Sequence, residues 1–352
     1  MHETRTAVAV VGASGYTGAE LLRLLIMHPR ADLVAVTSRT EAGRGLTSVF
    51  PRFAGSPVAE ELIFVEPDAE AIAASGAKFA FLALPHGVAS QYARDLLARG
   101  VRVIDLSADF RLRSAQTYEE FYGEKHPAPE LLEEAVYGLP EIRADQIVGA
   151  DLVASPGCYP TSILLPLLPC LKAGLIDKQS ICVSSLSGAS GAGKKTDPSL
   201  LFVEVNESLR AYGAPKHRHL SEIEQELSIA AEETIRVSFV PHLMPVNAGI
   251  ATTIFADLSI PIDQAREKLS SVFAAAYGDA FFVRLLGEGR FADSKQVVRT
   301  NFVDIGWVID ERTGRLILSS AEDNLGKGAG SQAIQSFNLM NGWEEKTGLM
   351  HF

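Results

Sequence analysis

One thiol in this sequence stands where a thiol can react. Cys158 lies in Ser155-Pro156-Gly157-Cys158-Tyr159-Pro160-Thr161, directly after a short apolar run (151–154) and directly before a long one, which predicts a tight turn opening a helix. The unpaired N–H groups of a helix start and the positive end of its dipole favour thiolate over thiol, so Cys158 is a nucleophile candidate. Cys170 and Cys182, each embedded in apolar sequence, read instead as small buried packing residues. A thiol that must lose and regain protons needs a helper titrating near neutrality, and His219 in Lys216-His217-Arg218-His219-Leu220-Ser221-Glu222 is the best placed. Ser221 and Glu224 have the spacing of a capping box, which predicts that His219 stands just outside the helix, facing a cleft, with Glu222 or a backbone carbonyl orienting it. His217, His86 and His242 are weaker candidates. No third Cys, His or Asp recurs at a ligand spacing around His217 and His219, so no metal site is expected.

A second constellation is made of glycines. Gly12-Ala13-Ser14-Gly15-Tyr16-Thr17-Gly18 follows an apolar strand and opens an amphipathic helix, the context in which backbone amides approach a pyrophosphate. The next strand ends in Thr37-Ser38-Arg39, a hydroxyl and a guanidinium where an NAD enzyme carries an acid; these suit a 2′-phosphate, and the expected cofactor is NADP (NADPH). A further loop, Ser187-Gly188-Ala189-Ser190-Gly191-Ala192-Gly193-Lys194-Lys195, nearly spells a phosphate-binding P-loop but has Lys195 where Ser or Thr should hold magnesium. Ser187 and Gly188 remain candidates for a cofactor or phosphate contact.

These residues need elements to hold them. The 352 residues, 47% hydrophobic and 21% charged, suffice for two domains with their own cores. A net charge of −11 with dispersed basic residues disfavours nucleic acid or an anionic membrane as partner. The apolar stretch 162–176 is broken by Pro166, Pro169 and Lys172, and the short polar N-terminus is no signal peptide, so nothing is expected to span a membrane. Three cysteines at wide spacing form no disulfide framework, which points to the cytoplasm. Over the first 150 residues, strands at 6–11, 33–37, 78–84 and 101–106 alternate with helical patterns at 17–27 and 88–99, the rhythm of a parallel sheet with crossover helices. Strands at 180–186, 235–240, 250–258, 302–309 and 315–319 then follow with fewer helices between them, and 326–342 is helical in pattern. The fold class read from this is α/β: a Rossmann-type parallel-sheet domain, then an α+β domain with a mixed, largely antiparallel sheet.

The motifs in their order, Gly12 to Gly18, Thr37-Ser38-Arg39, Leu84-Pro85-His86-Gly87, Asp105-Leu106-Ser107-Ala108-Asp109-Phe110-Arg111, Ser155 to Thr161, Lys216 to Glu222 and Asp323-Asn324-Leu325-Gly326-Lys327-Gly328, resemble the N-acetyl-gamma-glutamyl-phosphate reductase family of the semialdehyde dehydrogenase superfamily. The resemblance implies a small-molecule acyl phosphate substrate, a thioester on Cys158, acid–base work by His219 and a place for Asn324 near the nicotinamide amide. It further implies a substrate or phosphate subsite of Ser107, Arg111 and Glu222, and a homodimer or homotetramer. The implied domains are 1–157 for NADP, 158–322 for catalysis and dimerisation, and 323–352 as a C-terminal helix packing back on the NADP domain. Two positions depart from the family pattern: Ser162 stands where Gly or Ala is usual, and Ala248 where Arg is common. A reductase of carrier-linked aminoadipyl phosphate or of aspartyl phosphate, and a non-catalytic NADP-sensing protein, are the alternative readings.

Overall fold

In a computed structural model of the chain, which describes residues 5–194 and 196–350, the chain divides into a unit of 1–156 with 329–352 and a unit of 157–328. Lys195, on which the departure from the P-loop rests, and positions 1–4 of the N-terminus lie outside the described residues.

The first unit is built on strands β1 (Thr6–Val11), β2 (Ala31–Thr37), β3 (Phe64–Val65), β4 (Phe79–Leu82), β5 (Arg102–Asp105), β6 (Val136–Tyr137) and β7 (Leu152–Ala154). They form one parallel sheet in the order β3-β2-β1-β4-β5-β7-β6. Parallel strands covered on both faces lose the apolar–polar alternation, and β4 is accordingly buried at every residue. The strand order reverses at β1, so the crevice where this architecture takes a ligand lies beyond the carboxyl end of β1. The covering helices turn small or aliphatic stripes inward, Leu21, Leu22 and Leu25 from Tyr16–Met27, and Ala89, Ala93 and Leu96 from Ala89–Leu97. The helix Ser331–Met340 belongs to this unit. It packs on Tyr16–Met27 and Pro140–Val148, and its Phe337 ring meets Phe79 edge-on at 5.0 Å. Truncating a buried Phe of this kind to Ala costs about 3–5 kcal/mol. Ahead of that helix, 326–330 is wound as a π-turn and not as the α-helix the pattern predicts.

The second unit carries β8 (Cys182–Gly188), β9 (Arg210–Ala211), β10 (Ser238–Met244), β11 (Ile250–Asp257), β12 (Val283–Glu288), β13 (Val303–Asp310) and β14 (Arg315–Glu322) in the order β12-β13-β14-β11-β8-β10-β9. Only β8–β10 and β12–β13 pair in parallel, so the sheet is mixed and largely antiparallel. The strand expected at 235–240 starts three residues later, at Ser238, in register with Cys182 of β8. Cys182 itself is exposed at the start of β8, a correction to its reading as a buried packing residue. At a strand end, an apolar neighbourhood in sequence does not settle which face a side chain takes.

The helix Cys158–Lys172 lies against β11 and β14 and against the helices Arg218–Ala231 and Ile262–Tyr277, with nearly its whole length buried. Its interior prolines would normally break it, because Pro166 and Pro169 cannot donate to the carbonyls of Ser162 and Leu165. Both orphaned carbonyls find side chains: Ser320 Oγ donates to Ser162 O at 2.5 Å and Tyr277 Oη to Leu165 O at 2.7 Å. Ser162 is tied in further through Thr252 Oγ1 at 2.8 Å, so the residue that departs from the family pattern supports the helix rather than opening onto solvent. No helix among the described residues is long and apolar enough to cross a membrane.

Candidate active site

Cys158 is the first residue of its helix, half-buried, and follows the N-cap residue Gly157. Gly157 has extended backbone (φ −67°, ψ 155°) and no side chain to cap the helix. What replaces the cap comes from the helix Arg218–Ala231: Glu222, buried, accepts the Gly157 N–H at 2.9 Å through Oε1. Glycine is required here for space. A Cβ at position 157 would stand 2.6 Å from His219 Nε2 and 2.7 Å from its Cε1, so the imidazole lies flat on the turn that presents the thiol. The structure thus brings His219 and Glu222 to the turn of Cys158 although His219 lies 61 positions further along the chain.

His219 does not stand outside its helix as the capping-box spacing predicts. The helix begins at Arg218 with His217 as N-cap, and the His217 Nδ1 lone pair accepts the His219 N–H at 3.1 Å. An imidazole can accept there only when neutral. Burial, helped by the neighbouring Arg218 charge, pushes the His217 pKa down to about 4 and keeps it so. Ser221 Oγ donates back to Arg218 O, and Glu224 pairs with Arg236 and accepts the Val237 N–H; neither serves as a cap. The weaker candidate of the pair is therefore the residue that fixes the stronger one, a role for which the spacing HRH held no legible signal. Tyr159 sets its ring edge-on to His217 and His219, at 5.5 and 5.9 Å between centroids, and shares a hydrogen bond with Tyr212 Oη at 2.8 Å.

The other candidates of this unit form the turn beside β8. Ser187 Oγ bonds Gly188 O, and Gly188 admits no side chain because its Cβ would meet Ala248 N at 2.7 Å and Asn247 O at 2.8 Å. Ala248 thus packs its backbone on the glycine loop. Asn324 uses both ends of its amide to hold this arrangement, accepting the Gly249 N–H at 2.7 Å and donating to Ser190 Oγ at 2.8 Å.

In the first unit, the dinucleotide turn has the shape its glycines imply. Gly12 takes φ +81° and a Cβ there would strike Ala83 O at 2.5 Å; a Cβ on Gly18 would lie 2.6 Å from Ala13 Cα. Gly15 caps the helix Tyr16–Met27 without a side-chain bond and no acid occupies its first turn, so its free N–H groups suit a phosphate. Ser14 Oγ and Ser38 Oγ meet at 2.8 Å, joining the turn to the end of β2, while Tyr16 and Arg39 are exposed and Thr17 half-buried. One Arg39 Nη reaches Tyr92 Oη at 3.5 Å. These residues fit a nicotinamide dinucleotide.

Ser107 and Arg111 are both fastened to the chain around the end of β5. Ser107 donates its hydroxyl to Asp105 Oδ2 at 2.7 Å and accepts the Asp109 N–H at 3.1 Å. Burial first, and the Asp109 charge second, hold the Asp105 carboxyl well above the ordinary range. Arg111 is buried, and donates from Nε to Ser155 O at 2.8 Å and from Nη2 to Leu106 O at 2.9 Å, clamping the strand end that leads to the cysteine turn.

A parallel-sheet unit with a glycine turn, followed by a mixed-sheet unit opening on a cysteine, is the build of a nicotinamide-dependent semialdehyde dehydrogenase. Residues 7–150 match the family model of the semialdehyde dehydrogenase NAD binding domain and 158–324 that of the semialdehyde dehydrogenase dimerisation domain. The fold is shared with aspartate semialdehyde dehydrogenase II of Vibrio cholerae, at a TM-score of 0.71 and 18% identity over 96% of this chain and 98% of that one. Among relatives, the chain is 60% identical to an N-acetyl-gamma-glutamyl-phosphate reductase of Akkermansia muciniphila, over 97% of this chain and 98% of that protein, and 47% identical to one of Desulfotalea psychrophila over 97% of each. The chain belongs to the N-acetyl-gamma-glutamyl-phosphate reductase family, and it is an oxidoreductase with a nicotinamide-dinucleotide domain.

Proposed function

We propose that this protein reduces N-acetyl-L-glutamyl 5-phosphate to N-acetyl-L-glutamate 5-semialdehyde and phosphate, with NADPH, in the biosynthesis of arginine. The observation that carries the reading is the His219 imidazole lying on Gly157 beside Cys158 at a helix start, in a chain 60% identical over its length to a reductase of that name. The Cys158 sulfur attacks the acyl carbon; the C–S bond forms, the C–O bond to phosphate breaks and phosphate leaves. NADPH, when bound, supplies a hydride to the thioester carbon. His219 delivers the proton to the resulting oxyanion and withdraws it as the C–S bond breaks, which releases the aldehyde and returns the thiolate. Glu222 holds the Gly157 N–H and with it the direction of the thiol.

In the first unit, Gly12, Ser14, Gly15, Tyr16, Thr17 and Gly18 make the pyrophosphate turn, with Ser38 and Arg39 on the 2′-phosphate. Ser187, Gly188 and Asn324 belong on the cofactor or phosphate side of the reacting centre, and Ser107 and Arg111 support the phosphate subsite. The family matches over 7–150 and 158–324 support a dinucleotide part of 1–157 and a catalytic and dimerisation part of 158–322, with 323–352 as the C-terminal segment, and the dimerisation-domain match supports a homodimer or homotetramer. The net charge of −11 supports a protein without nucleic-acid or anionic-membrane partners, and the likeness to N-acetyl-gamma-glutamyl-phosphate reductases fits the cytoplasm.

The test is run in the oxidative direction, with N-acetylglutamate, aspartate and aminoadipate semialdehydes compared side by side. The N-acetylated glutamate compound should be turned over fastest, with one rapid turnover followed by dependence on added phosphate; steady turnover without phosphate, or preference for another aldehyde, overturns the reading. Cys158→Ser should abolish turnover and leave NADPH binding intact. Activity surviving within about tenfold of wild type, a barrier difference of only ~1.4 kcal/mol, would remove the thioester.

A further inference from the structure

The nucleophile has a second wall that this chemistry does not use. Glu322, the last residue of β14, is completely buried. A Cβ placed on Gly328 would stand 2.7 Å from Cys158 Cβ and 3.0 Å from Glu322 Oε1. The carboxyl group and the nucleophile's side chain therefore flank one glycine, separated by a gap too narrow for any other residue. A carboxylate buried so near a thiolate is a like charge in a medium that screens poorly, and each disfavours ionisation of the other.

We propose that Glu322 is a positioning residue for Cys158 that couples formation of the thiolate to its own charge and holds the sulfur's pKa above the value the helix start alone would set. The charged groups around Glu322 do not duplicate this. Asp323, next in sequence, is engaged with the N–H groups of Arg299, Leu325 and Gly326. Asp304 on β13 is held by Arg284, and Lys327, also fully buried, lies on the turn that follows β14, with Nζ 5.9 Å from the Phe282 ring centroid. On the thiol's other side stand His219 and Glu222 at Gly157. All of these residues are kept when only Glu322 is changed, and comparing Glu322→Gln with Glu322→Asp separates the charge of the carboxyl group from its bulk.

The experiment measures the rate at which iodoacetamide alkylates Cys158, by mass spectrometry of the whole chain, from about pH 5 to 9. Glu322→Gln keeps the shape and removes the charge; Glu322→Leu removes the charge with an apolar side chain that a buried site tolerates. In both, the midpoint of the rate profile should fall by about one pH unit while the limiting rate at high pH stays within about twofold, and Glu322→Asp should keep the wild-type midpoint. A midpoint unchanged or raised in the uncharged variants overturns the proposal. The inference rests on Cys158 as nucleophile, yet alkylation needs no substrate: a wild type that fails to turn over the N-acetylated aldehyde sinks the proposed reaction, while the profile still decides the role of Glu322.

Discussion

Two turns in this molecule are built almost alike and do different things. Each follows a strand of the parallel sheet and opens a helix from a glycine N-cap with extended backbone, Gly15 (φ −76°, ψ 173°) in one and Gly157 (φ −67°, ψ 155°) in the other, with no side-chain cap and no acid in the first turn. At Gly15 an added Cβ would meet nothing nearer than Gly12 O at 3.8 Å, and the helix start stays open to an anion. At Gly157 a buried carboxylate takes the N–H and an imidazole fills the space. The difference teaches that a bare helix start is only a positive end. Whether it binds phosphate or activates a thiol depends on what the rest of the fold packs against it.

The comparison breaks most sharply under matched substitutions. Gly157→Ala forces a methyl group into the His219 ring and should lower turnover by about 100-fold, the scale expected when a catalytic group is displaced by an ångström, with NADPH affinity kept. Gly15→Ala has room among the protein's own atoms but crowds the pyrophosphate, and should weaken NADPH by about 30-fold while keeping turnover at saturating NADPH within about threefold. Steady-state kinetics and cofactor titration on the two variants read both arms; equal losses would mean that the turns are not functionally distinct.

A smaller effect sharpens the cofactor side. Arg39→Ala should weaken NADPH by about tenfold, the worth of one charge-assisted contact at an exposed site, and leave NADH nearly unchanged because only NADPH carries the 2′-phosphate. Fluorescence titration with both nucleotides decides it, and parallel loss of the two would assign Arg39 to structure.

A separate effect, read in stability and not in activity, concerns the nucleophile side and pH. His217 has its pKa pushed from 6.5 to about 4 in the folded chain, so its contribution to stability is complete above pH 6.5 and is lost as pH falls toward 4, where the unfolded chain binds a proton that the folded one refuses. His217→Asn keeps a capping side chain and cannot titrate. Its stability relative to wild type should therefore rise by up to about 3 kcal/mol between pH 7 and pH 4, read from urea unfolding. Asp105 is shifted upward and contributes in the opposite sense, but it is present in both proteins and drops out of the difference. A flat difference across that range would show that His217 is not held neutral by burial.

Reactivity at the cysteines carries the same lesson about sequence and fold. Cys158 at its helix start, the glycines of 12–18 and the succession of parallel strands were legible because local rules govern them: punctuation by Pro and Gly, apolar periodicity, and the steric freedom of a residue without Cβ. Cys170 was legible too, buried in the helix with its thiol pushed up to about 12 by that burial. Cys182 was not, because which face a strand-end residue takes depends on register with β10 and β11.

By itself, then, the sequence determined the two kinds of sheet, the helix that presents Cys158 and the turn shaped for a dinucleotide, since each depends on residues within a few positions of one another. Only the tertiary structure decided that His217 caps the helix and leaves His219 inside it, that Ser320 and Tyr277 satisfy the carbonyls freed by Pro166 and Pro169, and that Glu322 flanks the nucleophile. Each of these joins positions distant in the chain, and short-range pattern cannot rank the many polar groups that compete for one buried donor or acceptor until packing has brought a single one within reach.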